Sequence, residues 1–95
     1  MNYADFYVIV YDIVNDRRRL KVAKLLEQVG ERVQDSVFEA WLLPSDLHKL
    51  VRRLERQVEP EEDSIRIYAL CAVCREKKRD IGQSVVVAPP GVRIV

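Results

Sequence analysis

Ninety-five residues, 48% of them hydrophobic and 33% charged, suffice for one folded domain with a small core and are too apolar for a disordered chain. A net charge of +1 excludes a bulk field that would draw the chain to nucleic acid or a membrane, so any such binding must come from local patches. No apolar run approaches the ~20 residues needed to cross a bilayer, and no basic region precedes Asp5 as in a signal peptide; the expected location is the cytoplasm, where a structural disulfide between the two cysteines is not expected.

Tyr7-Val8-Ile9-Val10-Tyr11-Asp12-Ile13 is nearly continuous in apolar, β-branched and aromatic residues. That pattern predicts a strand over residues 6–13, buried on both faces, with Asp12 at its C-terminal end. Asp16, an acceptor placed before a periodic segment, is the predicted N-cap of a first helix opening on Arg17-Arg18-Arg19. Leu20, Val22, Ala23, Leu25, Leu26 and Val29 form its apolar stripe, and Gly30 reads as its C-terminal stop. Residues 32–42 read as one extended strand, with Val33, Val37 and Trp41 on one side and Gln34, Ser36 and Phe38 on the other. Pro44-Ser45-Asp46 opens a second helix with Leu47, Leu50, Val51, Leu54 and Val58 as its apolar stripe, and Pro60 ends it. After the acidic turn Glu61-Glu62-Asp63, Ser64–Leu70 is again extended and leads into Cys71-Ala72-Val73-Cys74. A charged turn over residues 75–80 follows, then short extended pieces at 81–83, 84–88 and 92–95.

If residues 32–42 fold back on themselves, the order becomes β-α-β-β-α-β, an α+β ferredoxin-like sandwich. Two helices then cover one face of a four-stranded sheet. The other face is also apolar, because the first strand is apolar at both parities, and a second copy is expected to close it face to face. Residues 1–83 form the domain; the extended tail 84–95 has no place in its own core and is expected to add to the dimer partner's sheet edge.

A carboxylate and three guanidinium groups within eight residues, at the end of a central strand, suit phosphate or metal chemistry. Asp12 either caps the turn that follows or serves as a ligand. Cations at the positive end of a helix dipole disfavour the helix, so the cluster Arg17, Arg18 and Arg19 points to an external phosphate; for any one of them a solvated, salt-bridged turn competes. Lys77, Lys78 and Arg79 form a second basic patch. Local patches on a near-neutral chain suit contact with a nucleic-acid backbone rather than base reading. Cys71-x-x-Cys74 has the spacing of zinc ligands but is half a site. Thioredoxin-type redox chemistry needs the motif at a helix start, whereas here it ends a predicted strand, and two small buried thiols are the plainer reading. His48 lies off its helix's apolar stripe and reads as exposed, which leaves no candidate general base.

Taken together, YVIVYDI, the basic helix start, GERVQDSVFEA, the Pro-Ser-Asp helix opening and PEEDSIRIY-x-LC-x-x-C resemble the CRISPR-associated protein two family, from about Tyr7 to Cys74. The specificity lies in the order YDI, then RVQ-x-SVF, then EDS-x-RIY; the last twenty residues match less well. The resemblance implies a ferredoxin-fold homodimer of antiviral defence that works with a CRISPR-associated integrase in spacer acquisition, bridging two integrase dimers on double-stranded DNA. It also implies magnesium-dependent nuclease activity on single-stranded RNA or double-stranded DNA. Asp12 matches the aspartate that, paired with its copy, holds the magnesium ion on the dimer axis. Tyr11 falls on a family position from which it would stack on a base or orient a phosphate, Phe38 on another, and Arg32 on a basic one. Elementary chemistry agrees with a shared ion: phosphodiester hydrolysis needs a hard cation held by oxygen, and one carboxylate per chain is too few. Two other functions compete, a dedicated metal-dependent endonuclease and a small-ligand regulatory domain. The latter would want a glycine-rich loop where this chain has Val14-Asn15-Asp16-Arg17.

Overall fold

The structure, a computed structural model, describes residues 3–83 and residue 87. Its elements in chain order are β1 (Asp5–Asp12), α1 (Asp16–Glu27), β2 (Glu31–Gln34), β3 (Val37–Leu42), α2 (Pro44–Gln57), β4 (Ser64–Leu70) and a short α3 (Ala72–Glu76). The strands form one antiparallel sheet in the order β2-β3-β1-β4, the ferredoxin-like arrangement. β1 is central: Ile9 lies opposite Phe38 on one side and Ile67 on the other, and Asp12 lies opposite Ser64.

Alternation along β1 decides what each face does. Tyr7, Ile9, Tyr11 and Ile13 point into the core, against Phe38, Ala40 and Leu42 of β3 and against Val22, Leu26, Leu50 and Leu54 of the two helices. Phe38, Ile9, Leu26 and Val22 are sealed from solvent completely. Phe6, Val8, Val10 and Asp12 stand at the opposite parity, on the face the helices leave open.

Residues 32–42 are two strands, not one. Asp35-Ser36 make a tight turn, and β2 folds back on β3 with a register irregularity between Arg32 and Gln34. Tyr11 holds the turn: its N–H donates to the Ser36 carbonyl at 3.0 Å and its hydroxyl to the Asp35 carbonyl at 3.2 Å. The hairpin sends Phe38, Ala40 and Leu42 to the helices and leaves Val37, Glu39 and Trp41 on the other face.

The first helix is capped by Asn15 rather than Asp16; the Asn15 side chain accepts from the Arg18 N–H at 3.0 Å. Asp16 is the first helical residue, where the dipole favours an acid. Gly30 is not a left-handed stop, since Gly82 is the only described residue with a positive φ. Gly30 serves close approach instead: a Cβ there would lie 2.8 Å from the Ala40 Cβ and closer still to the Glu39 carbonyl oxygen. Pro44 opens α2 at the first turn, where a missing N–H leaves nothing unpaired.

After β4 the chain departs from the expected strand end and charged turn. Residues 72–76 are helical, so Cys71 is the N-cap of α3. Residues 81–83 do not form a strand. The expected tail strands at 84–88 and 92–95 lie outside the described residues, apart from residue 87. The α3 segment turns back over the open face of the sheet. The Arg75 guanidinium sits 4.5 Å from the Trp41 ring centroid, the Lys78 ammonium reaches Glu39 at 3.3 Å and lies over Phe6, and the Trp41 indole N–H donates to the Val87 carbonyl at 3.1 Å. This strap buries Phe6 and Glu39 and leaves Val8 and Val10 half-buried and Tyr68 exposed. Among the described residues no helix is long and apolar enough to cross a membrane.

Candidate nucleic-acid interface and metal ligand

Asp12 ends β1 on the open face, exposed, its side chain with no hydrogen bond or ion pair among the described residues. It does not cap the turn after it; that role belongs to Asn15. Its cross-strand neighbour is the exposed Ser64, a hydroxyl that sequence reading had no means of pairing with it. Among the described residues no three His, Cys, Asp or Glu side chains converge, so one chain brings a single carboxylate to this spot. Magnesium retains several waters and is commonly held by one or two carboxylates. The chemistry of this single oxygen donor fits such an ion.

Tyr11 and Asp12 are adjacent in sequence but point to opposite faces of the sheet. Tyr11 is 3% exposed and stacks against Phe38 with ring centroids 6.2 Å apart. Its hydroxyl is spent on the Asp35 carbonyl, so in this structure Tyr11 positions the hairpin and is not brought to Asp12. Phe38, fully buried, is a core residue.

The arginine cluster divides into three different roles. Arg18 reaches across to the loop before β4, donating from Nε to Asp63 at 2.8 Å and from its terminal nitrogen to Glu62 at 2.7 Å. The Asp63 side chain is fully covered there, and the Arg18 guanidinium, with the Glu59 N–H at 2.8 Å, holds its carboxyl below the usual carboxylate range. Arg19 binds inward, donating to the Ile13 carbonyl at 3.0 Å and pairing with Asp16. Arg18 thus ties α1 to the loop before β4, and Arg19 ties it to the β1–α1 loop. Arg17 alone is exposed with no partner among the described residues.

Arg32 lies over the Phe38 ring at 5.3 Å and 3.6 Å from the Glu27 carboxylate. With Arg19 it borders a cleft of about 530 Å³ whose rim also carries Asp16 and Asp35, so the two guanidiniums are matched by two carboxylates. In the second basic patch, Lys78 is committed to Glu39 and Asp80, whereas Lys77 and Arg79 are exposed.

The basic surface that sequence reading missed is the helical layer. Lys and Arg outnumber Asp and Glu nine to four on α1 and α2, in a chain whose net charge is +1. Arg17, Lys21 and Lys24 run along α1 at helical spacing; Lys49, Arg52, Arg53 and Arg56 do so along α2. All seven are exposed, with no ion pair among the described residues, and Lys49 and Arg53 line the groove between the helices. The signal was present as two off-stripe cation rows. It could be joined into one surface only once the helices were known to lie side by side.

Comparison with known proteins bears on this geometry. The profile of the family described as CRISPR associated protein Cas2 matches residues 5–78. A protein of Chloroflexus aurantiacus named CRISPR-associated endoribonuclease Cas2 1 is 53% identical over 78 residues, covering 81% of this chain and 84% of that one. The crystal structure of Streptococcus pyogenes Cas2 at pH 6.5 superposes with a TM-score of 0.72 at 30% identity, over 81% of this chain and 99% of that one. A chain of a partial Cas6-RT-Cas1–Cas2 complex superposes with a TM-score of 0.74 at 29% identity, over 99% of this chain and all (100%) of that one. The matched residues run from the start of β1 through the strap and so include Asp12, the loop staples and the helical layer. The chain belongs to the Cas2 family of CRISPR-associated proteins.

Proposed function

We propose that this protein acts in CRISPR spacer acquisition as a homodimer that grips a nucleic-acid backbone and bridges a partner integrase, with metal-dependent phosphodiesterase activity centred on Asp12. The observation that carries the metal role is an unpartnered carboxylate at the end of the central strand, on the same open face as Val8 and Val10. Closing that face with a second copy would bring two such carboxylates out of water. Like charges in a drier setting are unfavourable unless a cation or a proton joins them. A divalent ion shared by the two Asp12 side chains meets that need, with water filling its remaining positions. When bound, such an ion polarises a phosphate and supplies a hydroxide near neutral pH.

The chain's own residues do the rest. Arg17 and the cations of the helical layer hold phosphates without reading bases, for no Phe, Tyr or Trp lies on α1 or α2. Arg19 holds the loop that follows Asp12 through the Ile13 carbonyl, and Arg18 ties α1 to the loop before β4. Support for an integrase partner comes from the likeness to a chain of a complex named for both Cas1 and Cas2.

The test is Asp12→Asn, which keeps the shape and removes one negative charge per chain. It should abolish magnesium-dependent cleavage of labelled single-stranded RNA and duplex DNA while preserving duplex binding and integration with the partner integrase. Retained cleavage would remove Asp12 from the chemistry. Lost integration by a folded variant would make the metal site, not the basic surface, central to the bridging role.

A further inference from the structure

Cys71 and Cys74 are exposed free thiols, not the buried pair expected from the sequence, and no third His, Cys, Asp or Glu joins them among the described residues. The open side of β1 and β4 holds more chemistry. The two strands are antiparallel, with Asp12 opposite Ser64, Val10 opposite Arg66 and Val8 opposite Tyr68. Ile65 and Ile67, at the other parity of β4, pack against the core, so Ser64, Arg66 and Tyr68 share the open face with Asp12. On that face Asp12 and Arg66 are the only charged side chains of these two strands. Arg66 stands on the diagonal from Asp12, a spacing of about 7–8 Å that a long side chain spans. Opposite charges within reach could neutralise each other, yet both are exposed and no ion pair joins them among the described residues. Tyr68 raises the Arg66 pKa, first through a side-chain hydrogen bond, but near neutral pH it brings no charge to match the guanidinium.

We propose that Arg66 is the phosphate-holding residue of the Asp12 site, its guanidinium binding the non-bridging oxygens of a nucleic-acid phosphodiester placed beside the Asp12 carboxylate. The inference rests on the metal role given to Asp12 above. A carboxylate repels a phosphodiester, so a site built on Asp12 needs a cation of the protein to hold its substrate. A guanidinium stays charged throughout the physiological range and matches two phosphate oxygens with parallel N–H donors. Donors fixed where negative charge gathers during attack at phosphorus also stabilise the transition state. The cations nearest in sequence are otherwise engaged: Arg18 with Asp63 and Glu62, and Arg19 with the Ile13 carbonyl and Asp16. The basic rows of α1 and α2 belong to the helical layer on the other side of the sheet. Lys78 of the strap lies over Phe6, at the opposite end of β1, and is paired with Glu39. Arg66 is thus the unmatched cation that the register of β4 sets next to Asp12.

The experiment uses the full chain with two probes: manganese ion, its binding read from the loss of the free-ion electron paramagnetic resonance signal, and a short labelled 2′-O-methyl RNA, its affinity read by fluorescence anisotropy with and without manganese. The wild type should bind manganese and hold the RNA more tightly in its presence. Arg66→Ala should bind manganese at least as well as the wild type, since a neighbouring positive charge is gone. It should bind the RNA about tenfold or more weakly with manganese present, the loss expected for one charge-assisted hydrogen bond. Arg66→Lys, which keeps the charge without the fork of donors, should recover part of that affinity. Asp12→Asn should lose both manganese binding and the gain in RNA affinity. If Arg66→Ala keeps the full gain, or if the wild type binds manganese without any gain, the proposal is overturned while the metal role of Asp12 stands. Manganese binding unchanged in Asp12→Asn would overturn that role and the proposal with it. Dissociation of the dimer in Arg66→Ala, read by sedimentation velocity, would make Arg66 a counter-ion for the Asp12 of a second copy and would likewise overturn it.

Discussion

Replacing Arg17 and Arg18 one at a time separates a phosphate contact from a structural staple, although the two residues are neighbours of the same charge. Arg17 is exposed and unpartnered among the described residues, whereas Arg18 is bound to Asp63 and Glu62 at 2.8 and 2.7 Å. A cation that neutralises a phosphate releases condensed counterions, and each such contact adds about 0.9 to the slope of log K against log salt on duplex DNA. In a dimer Arg17→Ala removes two contacts, so the slope should fall by ~1.8. Between ~50 and ~200 mM salt, a fourfold change, the wild type should therefore lose ~12-fold more affinity than the variant. Arg18→Ala should leave the slope unchanged, because that guanidinium is already neutralised, and should lower stability by stranding the covered Asp63 carboxylate. Fluorescence anisotropy of a labelled duplex across this salt range gives the slopes, and urea unfolding of the free proteins gives the stabilities. Equal slope changes in the two variants would mean that the Arg18 pairs open on binding, and no change with Arg17→Ala would remove it from the interface.

The Asp63 carboxyl, held low chiefly by Arg18 and then by the Glu59 N–H, contributes stability that is full above the ordinary carboxylate range of about 4 and is lost as pH falls from there through its depressed value; acid titration of unfolding midpoints should show Asp63→Asn to be less stable near neutrality and less sensitive to acid than the wild type. Gly30→Ala forces a methyl against the Glu39 carbonyl and the Ala40 Cβ, and overpacking of this kind costs about 1–3 kcal/mol, readable in urea denaturation. Phe38→Ala empties a fully buried position between Tyr11 and the helices and should cost ~3–5 kcal/mol, enough to unfold a small domain at modest temperature.

Much of this molecule was legible in its sequence, because periodicity and stop signals are local. The apolar run ending in Asp12, the stripe of α2 and the extended segment after the acidic turn each declare an element through side-chain spacing, and together they imply the ferredoxin-like order. The presence of a carboxylate at the end of the central strand was likewise readable, because strand alternation and position are one-dimensional facts. What sequence could not supply is every relation that depends on which groups meet across the fold. The Asp35-Ser36 turn lacks the glycine that usually advertises a hairpin, and it is held from a distance by Tyr11, so residues 32–42 looked continuous. Whether Asn15 or Asp16 capped α1 turned on which oxygen reached the Arg18 N–H. Arg17, Arg18 and Arg19 are chemically identical, yet only the approach of the loop before β4 and the carbonyls of the β1–α1 loop decide that two of them are staples and one is free. Cys71 looked like a strand end because a helix of five residues is too short to show a period; its neighbour Arg75 is held by Trp41, thirty-four residues back in the chain. Local pattern determines which elements form, while partner choice among charged and polar side chains is a long-range matter, settled by the packing that brings those elements together.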